Sequence, residues 1–246
     1  MASIPPHHNL VLNKFAVVPE HSILATVEFQ PQTHLLEAAD LAAARACIGA
    51  YPPGKDGRGG LFAFFNSGPH SGASQPHRHL QLLPVERMRD GLDDHGNAAW
   101  GVLAEALMTR DGDGDIAAQL PFRTFTGPIT NDMQPQELRE IYLGLYRSAC
   151  RAAGRSDVDD SDTEGEAKIS YNLAMTRHAM VLCPRTAEGS TVFGPTGANV
   201  GKLELNGTVL AGTALVKNQA EWDALRGDPA QLLAVLGTIG VPSNIG

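Results

Sequence analysis

The chain of 246 residues reads as an α+β protein, an antiparallel sheet with helices on its outside. Two observations predict this class. Short segments alternate apolar and polar residues with a period of two, which gives a strand one buried side. Between them lie longer segments in which apolar residues recur with helical spacing.

The elements follow in order. Asn9–Val18 and Ser22–Phe29 alternate and are predicted strands, joined by the turn Pro19-Glu20-His21. Glu37–Tyr51 is Ala-rich with helical spacing, and the Pro/Gly-rich stretch Pro52–Gly60 stops it. Leu61–Asn66 and Arg78–Leu83 are predicted strands on either side of a Gly/Ser-rich loop. Asn97–Arg110 and Gln134–Ala153 are predicted helices, the second amphipathic through Leu138, Ile141, Leu145 and Cys150. Lys168–Met175, Ala179–Cys183 and Thr208–Lys217 are further predicted strands. Two short helices, near Gln219–Arg226 and Pro229–Leu236, complete the reading. The acidic stretch Asp157–Glu166 reads as a mobile surface loop. Asp111, Asp113 and Asp115 have the spacing that opens a calcium loop. Ile116 and Phe122 stand where its glycine and closing glutamate belong, so a solvated acidic turn is expected.

The most informative run is Phe65–Pro84, where the Gly/Ser loop leads into His77-Arg78-His79-Leu80-Gln81. On an extended strand His77, His79 and Gln81 share one face, about 6.6–6.8 Å from one to the next, while Leu80 and Leu82 point into a core. Ser67, Gly68, Ser71, Gly72, Ala73 and Ser74 offer backbone N–H groups and hydroxyls with little bulk. Successive N–H groups of that kind form a concavity for anions. A phosphate cradle leading into a histidine strand points to nucleophilic attack on phosphorus. An imidazole with a pKa near 6.5 is mostly neutral at pH 7, and attack splits one hard displacement into two easier ones through a phosphoramidate. The second histidine and the amide can hold the nucleophile and donate to phosphoryl oxygens. Two other readings compete: structural histidines, and zinc ligation, although His70, His95 and His178 lack metal-site spacing. The loop is not a Walker A loop, because no Gly-Lys-Ser/Thr follows.

The run Asn66-Ser-Gly-Pro-His-Ser-Gly-Ala-Ser-Gln-Pro-His-Arg-His-Leu-Gln81 resembles the signature of the ATP adenylyltransferases, also called diadenosine tetraphosphate phosphorylases. These belong to the histidine triad superfamily, near the galactose-1-phosphate uridylyltransferases. Pro6–Pro19, Tyr171–Arg177, Leu205-Asn-Gly207 and Gly212–Lys217 resemble other parts of the same family, so the likeness spans nearly the whole chain. It implies a histidine-triad-like fold and a ping-pong reaction in which His79 attacks an α-phosphate of the dinucleotide. ATP would leave, AMP would be held on the histidine, and phosphate would take it as ADP. Gln81 matches the position that is histidine in the hydrolytic relatives and glutamine in the transferases. Asn66, Ser71, Gly72 and Ser74 fall on the family's phosphate-binding loop, which Ser67, Gly68, Ala73 and Gln75 complete. Lys14 and Lys217 sit in family-like segments and are expected to face phosphates, with solvated strand-edge lysines as the other reading; Arg177 and Lys202 are further basic residues of note. Members of the family carry several tens of residues before the segment that begins here at Pro5, and these contribute to the nucleotide site. The competing function is a nucleotide-binding module without catalysis, or a related dinucleotide hydrolase or nucleotidyltransferase.

Composition bounds the rest. A 43% hydrophobic, 19% charged chain suits a globular protein of one large domain or two fused units. Ten residues from Asn9 echo Asn172–Val181, with Lys14 aligned to Arg177. This suggests a catalytic half at 1–125 and a supporting half at 126–246. No apolar run reaches the ~18 residues of a membrane span, and no signal peptide is recognised at the start. Cys47, Cys150 and Cys183 lack CxxC spacing and are expected as reduced core thiols, which fits the cytoplasm. The net charge of −8 argues against nucleic-acid backbones as partners. A polyanionic substrate is then expected to bring Mg²⁺ or another divalent cation, with no protein cage for it.

Overall fold

The computed structural model describes residues 2–4, 7–53, 59–90, 100–109, 116–130 and 132–243. Its main sheet contains β1 (Ala2–Ile4), β2 (His8–Leu12), β3 (Ser22–Thr26), β4 (Leu61–Ser67), β5 (His79–Pro84), β6 (Phe125–Pro128), β7 (Ser170–Met175) and β8 (Ala179–Arg185). Their spatial order is β1-β2-β3-β5-β4-β7-β8-β6, and every adjacent pair is antiparallel.

Strand alternation sorts the side chains into two cores. Leu80 and Leu82 join Ala63, Phe65, Leu173, Met175 and Leu182 beneath α1 (Ala38–Ala50) and α5 (Pro135–Ala152). Burying each such leucine contributes roughly 1.5–3 kcal/mol. The opposite face carries Phe62, Phe64, Leu83, Ala174, Val181 and Cys183. It is covered by α3 (Leu103–Ala106), the 3-10 helix Gly207–Ala211, α6 (Gln219–Gly227), α7 (Pro229–Ile239) and the two-stranded ribbon of β9 (Gly189–Phe193) and β10 (Asn199–Glu204). Two short helices, α2 (Val85–Arg89) and α4 (Ile116–Gln119), complete the described elements.

The two long helices start where the sequence supplies caps. Glu37 and Asp40 form a capping box at α1, Gln134 and Glu137 form one at α5, and Pro135 occupies the first turn of α5. Asp40 has further duties. It is buried and accepts from Arg78 Nη1 at 2.9 Å and His8 Nε2 at 2.8 Å. Arg78, between the two histidines in sequence, therefore ties its segment to α1 on the face away from His79.

Several expectations change. The predicted strand Asn9–Val18 ends at Leu12, because the Asn13 side-chain oxygen takes the Phe15 N–H at 2.9 Å and turns the chain. The next strand stops at Thr26 rather than Phe29. Thr208–Lys217 is not a strand. Asn206 caps the 3-10 helix by accepting from the Thr208 N–H, and Thr208–Ala211 are all buried, so no alternation exists for a strand to use. Of the helix predicted over Asn97–Arg110, the described residues hold only Leu103–Ala106; Asn97–Ala99 and Arg110 lie outside them, as do Asp111, Asp113 and Asp115. β1, β6, β9 and β10 are additional to the sequence reading. The acidic stretch is irregular surface chain, and ion pairs link Asp157 to Arg155, Asp160 to Arg147 and Asp162 to Lys168. The Arg155 guanidinium draws the Asp157 carboxyl down to about 2. The echoing segments hold different places: β2 is second from one edge of the sheet and β7 third from the other.

Candidate active site

The site forms where β4 and β5 part. Their pairing runs from Leu61↔Pro84 to Phe64↔Gln81 and goes no further. Beyond it the buried Gln32 amide takes over as a rung. Its Oε1 accepts the His79 N–H at 2.8 Å, and its Nε2 donates to the carbonyls of Asn66 at 2.8 Å and His79 at 3.2 Å. The splayed strands thus stay fixed while the gap between them opens toward the Gly/Ser loop. Gln32→Leu removes all three bonds and strands buried backbone groups. It is expected to destabilise the fold by roughly 2–4 kcal/mol, read as a lower urea midpoint at unchanged m-value.

His79 is half-buried in this gap. Its Nδ1 lies 2.8 Å from the His77 carbonyl oxygen. A carbonyl only accepts, so the proton is on Nδ1 and Nε2 is left with its lone pair. Among the described residues Nε2 has no protein partner. Burial lowers the pKa of the ring below its ordinary 6.5, the His77 carbonyl opposes that shift, and His77 charge adds to it. The His77 ring is spoken for elsewhere: its Nε2 is 2.9 Å from Thr26 Oγ1 and 3.2 Å from the Glu28 carbonyl, and Phe29 packs on it. His77 therefore orients its neighbour through its backbone. Gln81, on the same face, meets the buried His21, whose Nε2 is 3.0 Å from Gln81 Oε1.

The loop is pinned from the other half of the chain. Asn66 and Asn172 face each other across β4 and β7. Asn172 Nδ2 donates to Asn66 Oδ1 and to the Ser71 carbonyl, both at 2.8 Å, and the Gly207 N–H donates to Asn66 Oδ1 at 2.9 Å. Buried Arg185 donates to Asn172 Oδ1 and to the carbonyls of Ala187, Glu188, Leu205 and Ile239. Within the loop the Ser71 hydroxyl closes a turn on the Gly68 carbonyl at 2.7 Å. Gly68 and Gly72 have φ of 84° and 76°. A Cβ on Gly72 would lie 2.7 Å from Asn206 Cβ, so the position needs glycine for both reasons. Among the described residues the N–H groups of Ala73, Ser74 and Gln75 donate to no protein acceptor, and Ser74 and Gln75 are exposed. An unprotonated ring nitrogen can attack phosphorus, and free N–H groups can donate to phosphoryl oxygens.

The family model for the ATP adenylyltransferase C-terminal domain matches residues 118–242, and that for the Ap4A phosphorylase N-terminal domain matches residues 1–93. The chain belongs to this ATP adenylyltransferase family. Diadenosine 5',5'''-P1,P4-tetraphosphate phosphorylase 2 of Saccharomyces cerevisiae is 29% identical over 246 residues, covering 97% of this chain and 71% of that one. Protein APA1 of the same yeast is 28% identical over 240 residues, covering 97% and 70%. The crystal structure of yeast Ap4A phosphorylase Apa2 in complex with Ap4A superposes with a TM-score of 0.69 at 28% identity, over 96% of this chain and 74% of that chain.

In this ATP adenylyltransferase family member, Gln32 links His79 to Asn66, Asn172 links Asn66 to Ser71, and Gln81 follows His79 on β5. Other sequence candidates have surroundings of their own. Ser67 is fully buried beside Tyr171, on the sheet face away from His79. Lys14 is exposed on the β2–β3 connection, 5.5 Å from the Phe15 ring centre. Lys217 is ion-paired with Glu204 and Lys202 also meets Glu204 at 3.1 Å, while Arg177 donates to the carbonyls of Ile48 and Tyr51 at the end of α1. Gln32, His21, Asn172 and Arg185 escaped the sequence reading. Only Asn172 carried a signal, through its place in the family-like run Tyr171–Arg177. The three cysteines are free and buried, as expected, and burial pushes the Cys183 thiol up to about 12.

Proposed function

We propose that the chain cleaves diadenosine tetraphosphate with inorganic phosphate, giving ATP and ADP, through AMP held covalently on His79. The observation that carries this reading is the His79 tautomer: Nδ1 is tied to the His77 carbonyl, so Nε2 is the unprotonated nucleophile. Nε2 attacks an α-phosphorus, the bridging P–O bond breaks, and ATP leaves. A phosphate oxygen then attacks the same phosphorus, the P–N bond breaks, and ADP forms. The free N–H groups of residues 73–75 and the Gln81 amide donate to phosphoryl oxygens as charge builds on them. An amide cannot serve as a general base near pH 7, so Gln81 leaves water unactivated between the two steps. In this reading residues 1–125 hold the nucleophile and residues 126–246 brace the loop. Dinucleotide, ATP, ADP, AMP and phosphate are the small-molecule partners. The test is incubation with diadenosine tetraphosphate and phosphate, with products separated by chromatography. ATP plus ADP supports phosphorolysis, ATP plus AMP means hydrolysis, and no turnover means a binding module.

The acid limb of the first half-reaction follows from the His79 environment. Burial lowers its folded pKa, so more than half of the ring is neutral at pH 6.5 and the midpoint of the limb lies below that pH. The rate of AMP–enzyme formation should fall to half its plateau at a pH below 6.5. A midpoint above pH 6.5 would contradict a desolvated nucleophile.

We further propose that Mg²⁺ arrives on the polyphosphate. Among the described residues no group of three or more His, Cys, Asp or Glu is placed to hold a metal ion, and no step here is routed through one. Calorimetric titration with Mg²⁺ alone is expected to show no binding, whereas EDTA should slow turnover until Mg²⁺ is restored. Micromolar binding of Mg²⁺ without nucleotide would refute this. A cytoplasmic setting suits three free, buried thiols. Among the described residues no helix is long and apolar enough to cross a membrane. Cell fractionation tests the compartment.

A further inference from the structure

We propose that His21 is a positioning residue that fixes the Gln81 amide with its NH₂ group turned toward the reacting phosphorus. The proposal rests on the reading of His79 as nucleophile.

His21 has 3% of its surface exposed, and the chain around it is clamped. Its carbonyl accepts from the Asn13 N–H at 2.8 Å, and its N–H donates to the Val18 carbonyl at 3.2 Å. The ring is held between the β2–β3 connection and β5. On one side the Val17 backbone N–H donates to Nδ1 at 3.3 Å. The Asn13 amide nitrogen, whose partner oxygen is already taken by the Phe15 N–H, lies 3.3–3.4 Å from both ring nitrogens. A backbone N–H can only donate, so Nδ1 is the acceptor and the proton is on Nε2. Burial, which lowers the ring's pKa, favours that neutral form.

The other side of the ring sets the consequence. Nε2–H points at Gln81 Oε1, 3.0 Å away. With its oxygen engaged there, the amide presents Nε2 in the opposite sense. Among the described residues that NH₂ has no protein acceptor. A side-chain amide without such a partner rotates between two states, one offering donors and the other an oxygen. Only the first is compatible with a phosphoryl oxygen; the second sets two negative oxygens against each other. Ile23 pairs with Gln81 in the β3–β5 register, so His21 sits two residues from the Gln81 partner and rides on the same sheet. Holding a donor in place before the charge appears is how a site lowers a barrier without reorganising.

The test is single-turnover formation of AMP–enzyme from diadenosine tetraphosphate without phosphate. His21→Phe keeps a flat ring in the space and deletes the donor. It should slow adenylylation by ~10–100-fold with a KM change under about 3-fold. His21→Gln places an NH₂ near the lost Nε2–H and should recover most of the rate. In a Gln81→Ala background His21→Phe should cost less than about 2-fold more, because its route of action is already gone. A normal rate in His21→Phe, or the same loss in the Gln81→Ala background, overturns the proposal; the second would mean that His21 only packs the hairpin. Wild-type enzyme that forms no AMP adduct overturns the His79 reading and this proposal together. A wild type that forms the adduct, beside an unaffected His21→Phe, overturns this one alone.

Discussion

His79→Ala is expected to abolish phosphorolysis, by ~10⁴-fold or more, while the chain still folds. The reason lies in what the ring touches. His79 belongs to neither apolar core, and among the described residues its one side-chain bond is to the His77 carbonyl at 2.8 Å. Its backbone bonds run to Gln32 and survive the substitution. Losing one partly solvated bond costs about 1 kcal/mol, too little to unfold a domain. Losing Nε2 removes the atom on which AMP would be carried. Chromatography of the nucleotides and a thermal melt on the same sample separate the two effects. Wild-type protein exposed to substrate without phosphate should carry AMP through a bond that acid breaks and base does not, as expected of P–N. Turnover near the wild-type level in His79→Ala would remove His79 from the chemistry. His77→Ala should be milder, since the carbonyl that orients His79 belongs to the backbone and remains.

The parts of this site that were legible in the sequence are those set by local geometry. Period-two alternation put His77, His79 and Gln81 on one face and Leu80 and Leu82 on the other; β5 holds His79 and Gln81 to that arrangement, and His77 precedes the strand. Gly68 and Gly72 were read as loop residues, and both occupy left-handed backbone. What escaped were partners that meet only after folding. Asn66 and Asn172 are 106 positions apart, and His21 and Gln81 are 60 apart. Gln32 looked like one more polar residue between Pro31 and Thr33, and nothing local says that its amide closes a broken ladder. Thr208–Lys217 misled because a short apolar run has the same composition whether it is a buried strand or a buried 3-10 turn. Ser67 shows the same limit inside the motif. It stands in the loop's sequence, but β4 still alternates there and turns it into the core.

Gly72→Ala is expected to damage the loop and the reaction together, and Gly154→Ala supplies its control. Both glycines have φ of 76°. A β-carbon in that region costs roughly 1–2 kcal/mol wherever it occurs. At Gly154 nothing lies within 4 Å of the added carbon, so that strain is the whole cost. At Gly72 the same carbon meets Asn206 Cβ at 2.7 Å, Asn206 Cα at 3.1 Å and the Leu205 carbonyl oxygen at 3.1 Å. Two of these three are backbone atoms, in a segment that cannot retreat. Arg185 holds the Leu205 carbonyl at 2.9 Å, and Gly207 is bonded to Asn66. The loop must therefore move away, and with it the N–H groups of residues 73–75 that would meet the phosphoryl oxygens. A displacement of about 1 Å in such a donor set costs on the order of 10²-fold in rate. Gly154→Ala should lower the melting temperature slightly and leave turnover intact. Gly72→Ala should lower it further and cut AMP–enzyme formation by about that factor. Equal effects on stability from the two variants, with normal turnover in both, would mean that the loop does not rest on Asn206 and that the second half of the chain has no part in shaping it.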